Sequence, residues 1–216
     1  MTLVRRDDLA CVVQAGGRSS RMGFDKATAP FLGQPLLERV LRRVSPAVSE
    51  LAVTTVRPES LSFIDGVRID GLPVSVHRDL EGPAGAMRGI ASSLSAATGS
   101  LVAIVACDMP FVSAGLIAAL ADRVATDGLD VCVPRVSRGL EPLCAVWRRE
   151  TALPLATRLL AEDSQRIRFL IDGLHAGFLD EADIIAAAGS TVCFENVNTP
   201  SEFALAENMA LRDPDL

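Results

Sequence analysis

Lysine occurs once in this chain, at position 26, beside 20 arginines. It ends the run Gln14-Ala15-Gly16-Gly17-Arg18-Ser19-Ser20-Arg21-Met22-Gly23-Phe24-Asp25-Lys26. Glycines without Cβ atoms let backbone N–H groups approach an anion closely and take φ > 0 where needed. Arg18, Arg21 and Lys26 supply positive charge. A composition that uses arginine at every other basic position makes the compact ammonium at 26 a candidate point-charge contact to a phosphate, which a planar guanidinium provides poorly. A second candidate is Asp108, which follows the wholly apolar run Leu101 to Ala106. A carboxylate there is costly without a partner. A Mg²⁺ ion is one such partner, because it takes only one or two protein carboxylates and fills its other positions with water and phosphate oxygens. Asp79 and Asn198 also close apolar segments, and Asp79 reads equally as a nucleotide contact, a metal contact or a turn residue.

The elements that would carry these residues alternate between periods of two and of about 3.6. A strand at about 9–14 leads into the glycine loop. A helix follows from Pro35 to Val48, with Leu37, Val40, Leu41, Val44 and Val48 on one side. Strands are expected at 51–56, 74–77, 101–106, 130–135, 142–147 and 191–195. The segment Arg57 to Gly71 holds at most one helical turn. Glu81-Gly82-Pro83-Ala84-Gly85 breaks the chain and starts a helix with Met87, Ile90, Leu94 and Ala97 on one stripe. Ser113 is a candidate N-cap for the helix carrying Leu116, Ile117, Leu120 and Val124. Thr199-Pro200-Ser201-Glu202 is a capping box with proline at the first helical position, and its helix runs to about Arg212. This alternation predicts a parallel α/β sheet with right-handed crossovers. In such sheets ligands bind at the carboxyl ends of the strands. The glycine loop, Asp79, Asp108 and Asn198 would all lie on that edge.

Composition narrows the partners. At 216 residues, with 49% apolar and 22% charged residues, the chain is globular. Its net charge of −6 argues against nucleic acid as the main partner. That charge is uneven: eight basic and four acidic residues up to Arg43 give +4, so the remainder carries −10. No run reaches the roughly 18 to 20 apolar residues of a membrane span. Met1 to Asp8 has no signal-peptide core, which predicts a cytoplasmic protein. Five cysteines, at 11, 107, 132, 144 and 193, form no C-x-x-C pair and read as small buried hydrophobes in a reducing compartment.

Two nucleotide signatures fail. Phe24 follows Gly23 where a P-loop needs lysine, and the second strand ends Thr54-Thr55-Val56-Arg57 without the acid that holds a ribose diol. His77 and His175 make no Ser-His-Asp arrangement and read as structural. Scarce acid–base residues suit phosphoryl or nucleotidyl transfer, where positioning and charge stabilisation dominate and a phosphate nucleophile needs no protein base.

Taken together, the motifs resemble one family. Ala15 to Ala27 (A-G-G-R-S-S-R-M-G-F-D-K-A) resembles the signature of the molybdenum cofactor guanylyltransferases. So, in the same order, do G-P-A-G-A-M-R-G (82–89), A-C-D-M-P-F (106–111), G-L-E-P-L-C-A-V-W (139–147) and N-V-N-T-P-S-E (196–202). The resemblance spans nearly the whole chain. It implies one α/β nucleotidyltransferase domain over 1–216, a Rossmann-like three-layer sandwich with a mostly parallel central sheet. It also implies transfer of GMP from GTP to the terminal phosphate of molybdopterin, with Mg²⁺ and release of pyrophosphate. By position, Gln14, Ala15, Gly16 and Gly17 would contact the nucleotide, and Thr54 and Asp79 would do the same. Arg21 and Lys26 would hold phosphates, Asp108 would bind Mg²⁺, and Asn196 and Asn198 would lie near the metal and the pterin. Proteins that insert molybdenum and deliver the cofactor are implied partners. The chain departs from the family pattern at Gln14, where Leu is usual, at Gly82 to Ala86, where G-P-L-A-G is frequent, and at Thr54, where some relatives have Asn. The alternatives are a cytidylyltransferase acting on the same pterin, a nucleotidyltransferase for a sugar or polyol phosphate, and a non-catalytic nucleotide-binding partner.

Overall fold

The computed structural model describes residues 4–16, 25–213 and 216. Strand β1 (Arg6–Gln14) opens the chain and places Leu9, Cys11 and Val13 on one face and Ala10 and Val12 on the other. The description resumes at Asp25, whose carboxylate accepts from the Ala27 N–H (3.1 Å) and caps a single 3₁₀ turn, Lys26–Thr28. A small hairpin of β2 (Pro30–Phe31) and β3 (Gln34–Pro35) turns through Leu32 and Gly33, both at positive φ (49° and 82°). Helix α1 (Leu36–Val44) buries Leu36, Leu37, Val40, Leu41 and Val44. It is shorter than the expected span to Val48. Pro46 has no N–H to continue the helix, so Ser45–Ala47 tightens into a 3₁₀ turn and Val48 already belongs to the next strand. Pro35 precedes the first helical residue instead of occupying it.

Strand β4 (Val48–Thr55) is followed by one 3₁₀ turn (Pro58–Leu61), a short β5 (Arg68–Ile69) and β6 (Leu72–Arg78). Helix α2 (Ala86–Ala96) buries the stripe Met87, Ile90 and Leu94. Next come β7 (Leu101–Ala106), α3 (Ala114–Thr126), β8 (Val131–Val136), β9 (Gly139–Leu140) and β10 (Cys144–Arg148). The chain continues through α4 (Arg149–Ala161), α5 (Ile167–Asp172), β11 (Ala176–Leu179), α6 (Glu181–Ala188) and α7 (Pro200–Arg212). Ser113 takes the N-cap position of α3, but its side chain makes no capping bond.

One sheet organises these elements, in the order β11-β8-β10-β7-β1-β4-β6-β5, with β9 paired to the end of β8. Strands β7, β1, β4 and β6 are parallel, as are β8 and β11. Strand β10 runs antiparallel between β7 and β8, so the sheet is mixed instead of wholly parallel. Residues of α1, α3 and α6 pack on the Leu9, Cys11 and Val13 face, and residues of α2, α4 and α5 pack on the Ala10 and Val12 face. This is the three-layer arrangement expected. A third apolar cluster, Phe31, Leu36, Phe111, Val197, Phe203, Ala206 and Ala210, holds α7 against the hairpin and the segment after β7.

The strand expected at 191–195 is absent. Thr191–Phe194 is a 3₁₀ turn, because the Ser190 hydroxyl accepts from the Val192 N–H (3.3 Å) and Arg138 Nη2 donates to the Phe194 carbonyl (2.5 Å). Local side-chain bonds supply what a sheet ladder would have supplied.

Candidate active site at the junction of two strands

From β1 the chain moves to β4 and β6 on one side, and then returns to β7 on the other. The sheet therefore changes direction between β1 and β7, the place where open α/β sheets bind ligands beyond the strand ends. The ends are tied together by a bond from the Cys107 N–H to the Gln14 carbonyl (3.0 Å). The Asp108 side chain emerges next to this tie. Lys26 Nζ donates to Asp108 Oδ2 (3.1 Å) and to Asn198 Oδ1 (2.7 Å), so residues far apart in sequence meet at one ammonium. Lys26 and Asp108 keep only 18% and 25% of their side chains exposed, so the ion pair is largely withdrawn from water.

Asn198 reaches this point without the late strand expected before it. The Val197 N–H donates to the Asp108 carbonyl (2.9 Å). Glu202 Oε2 accepts from the N–H groups of Asn198 (2.7 Å) and Thr199 (3.0 Å), while Thr199 Oγ1 accepts from the Glu202 N–H (3.2 Å). The capping box therefore starts α7 and also fixes the peptide that presents Asn198. Asn196 is exposed two residues before and is not drawn into the Lys26 cluster.

The other side of β1 carries a second group. The Ala15 N–H donates to the Thr54 carbonyl (2.8 Å), which extends the ladder one residue past the strand. Gly16 lies against Asp79: a Cβ at Gly16 would sit 2.8 Å from Asp79 Oδ2, so any side chain there would require the carboxylate to shift. Burial raises the Asp79 carboxyl above its ordinary range, and Arg88 and Ser92 oppose that rise. Gln14 follows the alternation of β1 and points toward α2, where its Nε2 donates to Ser93 Oγ (3.2 Å). Ser93 is fully buried and donates in turn to the Gly89 carbonyl (2.8 Å). Thr54 Oγ1 lies 3.5 Å from Ser93 Oγ and is 1% exposed. In this structure the Thr54 side chain is therefore covered, against Ser93 and beside Gln14 in the sheet. Gly17 and Arg21 lie outside the described residues.

Ser93 and Gly89 were not candidates from sequence. Their signal was a pair of serines inside an otherwise apolar helical stripe, with a glycine four residues before the second. The two histidines are as expected: His77 Nε2 pairs with Ser75 Oγ (2.9 Å) and His175 Nδ1 with the Gly128 carbonyl (3.2 Å), both away from Lys26. All five cysteines are buried and free, and burial pushes the Cys107 thiol far above its ordinary range. No thiolate nucleophile is available there.

A family model described as the MobA-like NTP transferase domain matches residues 11–177. The chain belongs to the MobA-like NTP transferases. Among its relatives in this family, a probable molybdenum cofactor guanylyltransferase of Haloferax mediterranei is 32% identical over 88% of this chain and 89% of the relative. A molybdenum cofactor guanylyltransferase of Vibrio cholerae is 31% identical over 91% and 90%. The crystal structure of a molybdopterin-guanine dinucleotide biosynthesis protein A from Archaeoglobus fulgidus superposes with a TM-score of 0.78, covering 94% of this chain and 99% of that one. At 24% identity that likeness carries the fold.

Members of this family must handle a triphosphate, and the oxygen pair at Lys26 bears on whether a metal suits the site. Among the described residues no group of three or more His, Cys, Asp or Glu side chains converges. Asp108 Oδ2 and Asn198 Oδ1 do converge on one cation, the Lys26 ammonium. Two hard oxygens, one of them charged, suit Mg²⁺, which needs few protein ligands when phosphate supplies others.

Proposed function

We propose that this protein transfers GMP from GTP to the terminal phosphate of molybdopterin, with release of pyrophosphate, as a step in making the molybdenum cofactor. The observation that carries the chemistry is the Lys26 ammonium held between Asp108 and Asn198 at the β1/β7 junction. The names of relatives about 30% identical over most of the chain support the choice of substrates. A pterin phosphate oxygen attacks the α-phosphorus of GTP, the bond from that phosphorus to the bridging oxygen breaks, and pyrophosphate leaves. Lys26 would offset the charge that accumulates on the departing pyrophosphate, the contribution of a preorganised cation. Arg21 is assigned to the same phosphates. Gln14, Ala15, Gly16 and Gly17 are assigned to the nucleotide. Asn196 and Asn198 line the pterin side.

Asp108, with Asn198 beside it, would hold Mg²⁺. The ion would supply electrostatic neutralisation of the triphosphate. In the structure described the Lys26 ammonium occupies these oxygens. We further assign the protein to the cytoplasm, with molybdenum-inserting and cofactor-delivering proteins as its partners; no helix among the described residues is long and apolar enough to cross a membrane.

The test is pyrophosphate release with GTP or CTP, with and without molybdopterin. GTP- and pterin-dependent release is expected, and Asp108→Ala should reduce it at least a hundredfold with the fold intact. Preference for CTP would replace the guanylyl reading by the cytidylyl one. Undiminished turnover by Asp108→Ala would remove Asp108 from the site.

A further inference from the structure

Asp108 needs more than a place at the end of β7. The segment after it, Met109 to Val112, is not part of the sheet, and its internal backbone bonds are long: Met109 N–H to the Ala106 carbonyl and Val112 N–H to the Met109 carbonyl, both 3.3 Å. Its position is set from outside. Helix α1 turns two guanidiniums toward it, one turn apart. Arg39 Nε donates to the Pro110 carbonyl (2.9 Å). Arg43 Nε donates to the Val112 carbonyl (2.8 Å), and its Nη2 reaches the Phe111 carbonyl (3.4 Å). Three consecutive carbonyls behind the site carboxylate are thus held by two side chains of one helix.

The surroundings make this a built feature. Arg39 is enclosed by the rings of Phe31 (4.8 Å to the centroid) and Phe111 (5.8 Å), and it also donates to the backbone oxygen of Leu216. Burial beside Arg43 pulls the Arg39 guanidinium down to about 10, and burial also lowers Arg43. Two half-buried like charges a turn apart are costly, and buried carbonyls must find donors. A planar fork reaches two adjacent carbonyls from two nitrogens held in a fixed plane, whereas an ammonium offers its donors from a single point.

We infer that Arg39 and Arg43 are positioning residues for the transfer reaction: through the carbonyls of Pro110, Phe111 and Val112 they hold Asp108 in register with Lys26 and Asn198. The inference rests on the proposed role of Asp108, and its test separates the two. Arg43→Lys keeps the charge and the stem and removes the fork. At a temperature where the variant remains folded, kcat should fall about tenfold or more, while the KM for GTP stays within about threefold, because misplacement of a reacting group is felt in the chemical step. A second readout does not use activity. The thermodynamic coupling between Lys26→Met and Asp108→Asn, measured by urea denaturation, should be present in the wild-type background and at least halved beside Arg43→Lys. Arg39→Lys gives the same readouts if Arg43→Lys does not fold. Wild-type kcat, or undiminished Lys26–Asp108 coupling, in the folded variant would overturn the positioning role. Failure of the wild-type protein to use GTP would overturn the proposed function while the coupling measurement still decides the clamp.

Discussion

Gly89 and Gln14 form a pair whose coupling can be worked out before it is measured. A Cβ added at Gly89 would lie 2.8 Å from Gln14 Oε1, 3.0 Å from its Cδ and 3.1 Å from its Nε2. Real Cβ atoms do not approach that closely, so the Gln14 amide must swing away and release Ser93 Oγ, which it holds at 3.2 Å. Alanine is a better helix former than glycine by about 0.8 to 1 kcal/mol in a helix interior. Loss of a neutral hydrogen bond costs about 0.5–1.5 kcal/mol. In the wild-type background Gly89→Ala should therefore change stability little. In a Gln14→Ala background no amide stands in the way, and the same substitution should stabilise by nearly the full propensity difference. The cycle predicts a coupling near 1 kcal/mol, above the additivity error of about 0.3–0.5 kcal/mol. Urea denaturation followed by the fluorescence of Trp147, the one tryptophan in the chain and fully buried, measures all four proteins. Equal effects of Gly89→Ala in both backgrounds would refute the packing of Gln14 on α2.

Three further outcomes follow from the same geometry. Lys26→Arg should lose at least tenfold in kcat, because the space between Asp108 and Asn198 holds a single nitrogen at 3.1 and 2.7 Å, and a planar guanidinium cannot occupy it in the same way; wild-type kinetics would show that a point charge is not required. Asp79→Asn should be more stable than wild type at pH 7. Burial raises the Asp79 pKa above its unfolded value, so the native state binds more protons in the window that opens above about pH 4, and wild-type stability falls as pH rises through it. The advantage of Asp79→Asn should vanish below that window, and a pH-independent difference would contradict it. Thr199→Ala removes the Oγ1 acceptor for the Glu202 N–H and should cost about 1 kcal/mol in urea denaturation, with loss of activity as Asn198 loses its anchor; unchanged values for both would detach the capping box from the site.

The central elements were legible because their signals were local. The apolar run at Leu101–Ala106 is a strand with the expected bounds, the stripe Met87, Ile90 and Leu94 is buried, and the box at Thr199–Glu202 is formed. The convergence of Lys26, Asp108 and Asn198 was foreshadowed by their placement at strand ends, although Asn198 arrives after a 3₁₀ turn. What the sequence hid depends on partners far along the chain. Nothing in the Cys144–Arg148 run says that it inserts antiparallel between β7 and β8, since an apolar strand reads alike in either direction. Thr54 was named through the resemblance alone, and its burial involves Ser93, 39 residues away. Arg39 and Arg43 lie off the apolar stripe of Leu37, Val40, Leu41 and Val44, and only the tertiary structure shows the carbonyls they face.

The bond from Lys26 to Asn198 spans 172 residues, against 82 for the bond to Asp108. Synthesis proceeds from the N-terminus, so Lys26 and Asp108 are both present while Asn198 and its capping box are still unmade. The parallel core β7-β1-β4-β6 can assemble from the first half of the chain, with the Asn198 side of the candidate site missing. A ribosome-bound intermediate of this kind would hold the triphosphate side in nearly finished form, yet the site would be closed only when the final helix docks. On the proposed function, competence for the reaction would be a late event in the life of each molecule, timed by the arrival of one asparagine.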